Sequence, residues 1–98
     1  MRIYIAGPVT GRPDLNRDAF EEARLALEAA GYEAVVPLDL VPADAEWGYA
    51  MRQCIASMMT CDGVARLPDW RSSRGARVET ELARGIGMEV RDVGEWLR

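Results

Sequence analysis

Ninety-eight residues carry a net charge of -4, with 49% apolar and 29% charged residues, the proportions of one soluble domain with a single packed core. All twelve basic residues are arginine, with no lysine and no histidine. That excludes a Ser-His-Asp triad, a Cys-His pair, a phosphate-loop lysine, a Schiff-base lysine and any histidine metal site. Nucleophile, acid and base are left to Asp, Glu, Tyr or Cys, and the acidic balance argues against a nucleic-acid polymer as partner.

Arg2 to Ala6 reads as a strand, followed by a breaker-rich loop from Gly7 to Pro13. A helix capped by Asp14 or Asn16 runs to Gly31, with Phe20, Ala23, Leu27 and Ala30 as its apolar stripe. Glu33 to Val36 is a second strand, closed by Pro37, and residues 37–45 form a loop. The second helix spans about Glu46 to Thr60, with Trp47, Met51, Cys54, Ile55 and Met58 facing the core. Asp62 to Leu67 is a third strand, and residues 69–73 form the next loop. Ser72 or Ser73 caps a third helix that ends near Ile86, its core stripe Val78, Leu82 and Ile86. Met88 to Val93 is the fourth strand, and Gly94 to Arg98 a short tail or helical turn.

Cys54 and Cys61 lie seven residues apart on or near one helix, roughly 10 Å by helical rise, too far for a disulfide. They read as buried thiols in a reducing, cytoplasmic compartment. The apolar runs are too short for a signal peptide or a membrane span.

The alternation βαβαβαβ predicts one α/β domain over residues 1–98: a parallel sheet of about four strands, order 2-1-3-4, with helices on both faces. Ligands of such sheets sit beyond the carboxyl ends of the strands, at the switch point. Two loops meet there, Gly7–Pro13 and Pro68–Ser73. In the first, Gly7 and Gly11 permit close backbone approach, Thr10 supplies a hydroxyl and Arg12 a planar cation, although an ordinary strand-to-helix turn has the same composition. In the second, Ser72 and Ser73 before Gly75 suit either an anion or plain helix capping. Glu79, one turn beyond Gly75, either faces the crevice as a nucleophile or acid/base, or is a solvated helix glutamate paired with arginine. Tyr4 points into the crevice or the core. Trp70 and Trp47 stack on a base or pack. Asp62 binds substrate or closes a turn.

Tyr4-Ile5-Ala6-Gly7-Pro8-Val9-Thr10-Gly11, Cys61-Asp62-Gly63-Val64-Ala65 with Leu67-Pro68-Asp69-Trp70, and Ser72-Ser73-Arg74-Gly75-Ala76 with Glu79 together resemble the nucleoside 2-deoxyribosyltransferase-like superfamily, above all its small phage-type and bacterial members. The likeness spans nearly the whole chain. It implies a Rossmann-like, flavodoxin-like sheet in a homodimer or larger assembly, with no cofactor and no metal. It implies cleavage or transfer of the N-glycosidic bond of a nucleoside or nucleoside 5′-monophosphate. By the same likeness Glu79 attacks the anomeric carbon and Tyr4 steadies it. Gly7 to Gly11 matches the loop that meets sugar and phosphate, and Ser73 matches the polar residue six before the glutamate. The dipole of the third helix is expected to help keep Glu79 ionised.

The chain departs from that pattern where the transferases place an acid on the helix before the third strand. The position falls at Cys54, beside Gln53. It also lacks a long C-terminal extension, so only Trp96, Leu97 and Arg98 remain to reach a neighbouring subunit. The alternative expectation is therefore a non-catalytic nucleotide-binding protein using the same crevice, or a scaffold with a vestigial pocket.

Overall fold

The computed structural model describes residues 1–98. Strands β1 (Arg2–Ala6), β2 (Glu33–Val35), β3 (Gly63–Arg66) and β4 (Glu89–Asp92) alternate with helices α1 (Arg17–Ala29), α2 (Trp47–Met58), α3 (Arg74–Gly85) and α4 (Val93–Trp96). All strand pairs are parallel and the order is β2-β1-β3-β4, as the alternation of the sequence predicts. β1 sits at the centre, with Tyr4 opposite both Val35 and Val64.

The alternation of side chains along β1 divides the interior into two cores. Ile3 and Ile5 join Phe20, Ala23 and Leu27 of α1, together with Trp96 of α4. Tyr4 and Ala6 join Cys54 and Met58 of α2, and Ala76 and Ala83 of α3, on the other face. The α1 stripe is as read from the sequence except at Ala30, which lies past the helix end and is exposed. In α2 only Cys54 and Met58 are buried; Met51 and Ile55 are half-covered and Trp47 is largely exposed. Glu46 is the N-cap rather than a helical residue, and its carboxylate accepts from the Gly48 and Tyr49 N–H groups.

Three expectations fail here. Helix α3 buries Ala76, Glu79, Thr80 and Ala83, while Val78, Leu82 and Ile86 face outward. Small residues let the helix axis approach the sheet, so the bulkiest apolar stripe is left on the flank. Second, Trp96 does not reach toward a neighbour. It is buried, its Nε1–H donates to the Val64 carbonyl at 2.9 Å, and its ring occupies the space a Cβ on Gly63 would need. The capping box of Asp92 and Glu95 turns the chain back at the end of β4 and so delivers this ring. Third, Asp62 belongs to the amino edge of the sheet, where its carboxylate accepts from the Arg2 N–H at 2.7 Å. It closes a turn at the end opposite the predicted crevice.

No helix is long and apolar enough to cross a membrane.

Candidate functional site

The crevice is built by two loops forced into contact. At the end of β1, a Cβ on Gly7 would lie 2.6 Å from Leu67 Cδ1, at the end of β3. Gly7 is therefore required for loop-to-loop packing. Gly11 serves the turn itself, with φ at +80°, a conformation that glycine adopts without strain. Asp14, Leu15 and Asn16 continue in the left-handed region, each a costly choice for a residue with a Cβ. Neither Asp14 nor Asn16 caps α1 with its side chain. The Asn16 amide instead donates to the Pro8 carbonyl at 3.0 Å and ties the loop to itself.

Arg12 crosses to the second loop. Its Nη2 donates to Ser72 Oγ at 3.0 Å, and its Nη1 lies 3.7 Å from the Asp69 carboxylate. Ser72 in turn donates to the Asp69 carbonyl at 2.7 Å. Ser73 is the N-cap of α3, accepting from the Ala76 N–H at 3.1 Å. Arg74 lies over the Trp47 ring at 4.2 Å and joins the start of α3 to the start of α2.

These contacts enclose a cavity of about 490 Å³ on the α2–α3 side, a size typical of small-molecule sites. Gly7, Pro8, Thr10, Arg12, Ser72, Ser73, Gly75 and Glu79 line it together, as the two-loop reading predicts. Gly11 supports the turn from outside. Trp70 faces a separate cavity, where it lies between the guanidinium groups of Arg66 and Arg71, at 4.4 and 4.8 Å. Sequence reasoning missed Leu38, Val41 and Arg74 as lining residues. Leu38 and Val41 are apolar residues of the loop after β2, so only that loop's proximity to the switch point could have flagged them.

Glu79 is the sole acid lining this cavity and is 4% exposed. Tyr4 stands behind it rather than in the cavity, and its hydroxyl donates to Glu79 Oε2 at 2.5 Å. Tyr4 is thus a positioning residue. Burial raises the Glu79 carboxyl to about 7, and the hydrogen bond from Tyr4 opposes that rise. The expected help from the helix dipole is overruled. Glu79 is the sixth residue of α3, past the turn where the dipole acts, and desolvation dominates. The Tyr4 phenol is itself raised well above its usual range, first by burial and then by the facing carboxylate, so it stays a donor. Cys54 completes the group from α2, its thiol raised mainly by burial.

A larger cavity of about 850 Å³ lies along the same sheet edge, between α1, α4 and the loop after β3. Its buried charge, Arg66, is already paired with Asp92 at 2.9 Å. The smaller cavity has the reactive arrangement: a secluded carboxyl without an ion pair, a fixed hydroxyl behind it and cations at the rim. No group of three or more Cys, Asp or Glu side chains is placed to hold a metal ion.

A family model described as Domain of unknown function (DUF4406) matches residues 1–92, and the chain belongs to that family. No curated protein matches the chain.

Proposed function

We propose that the chain cleaves or transfers the N-glycosidic bond of a nucleoside or nucleoside 5′-monophosphate, with Glu79 as the nucleophile. The observation that carries this reading is the buried Glu79 carboxyl facing a cavity, fixed by Tyr4 at 2.5 Å and free of any ion pair. The Glu79 carboxylate attacks the anomeric carbon as the C–N bond breaks. The base leaves with the bonding electron pair and takes a proton from solvent. Water or a second base then attacks the same carbon and releases the carboxylate. Arg12, with Ser72 and Thr10 beside it, stands at the rim, where a 5′-phosphate would meet cation and hydroxyls. The apolar wall of Leu38, Val41 and Met51 suits the faces of the base.

Incubation with a panel of deoxynucleosides and their monophosphates, with free base followed by chromatography, tests this reading. Base release by the native chain and its loss in Glu79→Gln support it. Release that survives the substitution removes Glu79 from the chemistry.

One observation favours a second reading, binding without turnover. Cys54 lines the cavity where an acid for the departing base was expected, and no second carboxyl replaces it. Stabilisation by nucleotides in a thermal-shift screen, with no base released, selects that reading. The two free thiols, Cys54 and Cys61, support the reading of a reducing, cytoplasmic setting for either activity.

A further inference from the structure

The groups lining the Glu79 cavity limit what can leave it. When a C–N glycosidic bond breaks, the base keeps the electron pair, and a neutral purine or pyrimidine then needs a proton as it departs. No lining group is suited to give one. Glu79 is the only carboxyl there, and as the nucleophile it must be ionised. Tyr4 stands behind the cavity with its hydroxyl directed at Glu79. Cys54 lines the cavity, but burial makes its thiol hold the proton more tightly than usual. The Arg12 and Arg74 guanidinium groups keep their protons throughout.

The cavity also lacks a positive charge beside that carboxyl. Glu79 is buried and makes no ion pair within the chain. Both lining arginines are engaged elsewhere, Arg12 with Asp69 and Ser72, and Arg74 over the Trp47 ring. An ionised carboxylate removed from water is stabilised by a counter-charge, so a ligand that brings one favours the reactive form of Glu79. The apolar wall of Leu38, Val41 and Met51 opposes a compact, strongly hydrated ammonium but accepts the face of a flat ring with delocalised charge. Resting on the glycosidic reading above, we infer that the substrate is a nucleotide whose base is already a cation, an N-glycosyl pyridinium or a 7-alkylated purine. As its C–N bond breaks, the electron pair passes to the ring and cancels the positive charge, so the base departs neutral without a proton. The Glu79 carboxylate forms the new C–O bond and loses its charge in the same step. Water then attacks that carbon, which restores the carboxylate and releases one proton.

Base release by the native chain from two cationic and two neutral nucleotides tests the inference. Nicotinamide mononucleotide and 7-methylguanosine 5′-monophosphate carry cationic rings; guanosine and uridine 5′-monophosphates do not. For at least one cationic nucleotide, kcat/KM is expected to exceed that of both neutral ones by on the order of 10³-fold, the contribution a general acid would otherwise make. The nucleotide that is cleaved tells pyridinium from alkylated purine. A gap below about tenfold overturns the inference and leaves Glu79 chemistry standing. No release from any of them removes the glycosidic reading, and the inference with it. Rings without a sugar separate charge from ease of departure: 1-methylnicotinamide against nicotinamide, and 7,9-dimethylguanine against 9-methylguanine. In the pair that matches the cleaved nucleotide, the cation is expected to inhibit release about tenfold more strongly than the neutral ring. Equal inhibition within that pair overturns the inference.

Discussion

Glu79 and Arg66 are the two charged side chains buried in this molecule, and they occupy neighbouring cavities at the carboxyl edge of one small sheet. Arg66 meets an opposite charge, Asp92, at 2.9 Å and lies against the face of Trp70. Glu79 meets only a neutral hydroxyl. A buried charge with a counter-ion is settled. A buried carboxyl with only a hydroxyl for company has been carried to about 7, where it can act in either protonation state. The difference separates a residue that joins β3 to β4 from one that the proposed chemistry would use.

The largest expected effect tests that division on activity. Glu79→Gln should reduce base release on the order of 10³-fold, whereas Asp92→Asn should leave it nearly unchanged. Equal losses in both variants would erase the contrast.

Stability gives the next test, with opposite signs at the two sites. Glu79 releases its proton near 4.5 when unfolded and near 7 when folded. Between those values the unfolded chain has lost a proton that the folded chain retains, so the native state weakens as pH rises through that window. Above 7 the cost is constant at about 3 kcal/mol. Glu79→Gln should therefore stabilise the fold at pH 8 by up to that amount and give no gain below pH 4, as read by urea unfolding at both pH values.

Asp92→Asn should do the reverse, leaving a buried guanidinium without its counter-ion. The expected loss is about 1–2 kcal/mol, less than for a fully enclosed pair because Asp92 is half-exposed.

The smallest effect isolates Tyr4. Tyr4→Phe removes the hydrogen bond that opposes the upward shift of Glu79, so the acid limb of the pH–rate profile should move alkaline. A profile that keeps its position in Tyr4→Phe would deny Tyr4 its positioning role.

The first cavity was the more legible of the two. Its loops announce themselves by Gly7, Pro8, Thr10, Arg12 and the serine pair, and an alternating strand–helix pattern puts such loops at the switch point. The second cavity has no motif. Arg66 lies inside a run read as a strand, Asp92 inside another, and only the parallel pairing of β3 with β4 sets them opposite each other. Trp96 was illegible for the same reason. It lies two residues from the last position of the sequence, yet it fills the space beside Gly63.

What the sequence determined by itself was periodicity and punctuation: which segments are strands, which are helices, and where the glycines and prolines break them. From these follow the parallel sheet, its order and the meeting of two loops, because short crossovers leave few alternatives. Tertiary structure alone decided which flank of α3 is buried, since two overlapping stripes on that helix both satisfy helical spacing. The closest approach to the sheet selects the one with alanines. That same choice turns Glu79 inward and leaves Val78, Leu82 and Ile86 on the surface. Proton affinity was decided there as well, because it depends on how much water remains around a carboxyl once the helices have closed over it.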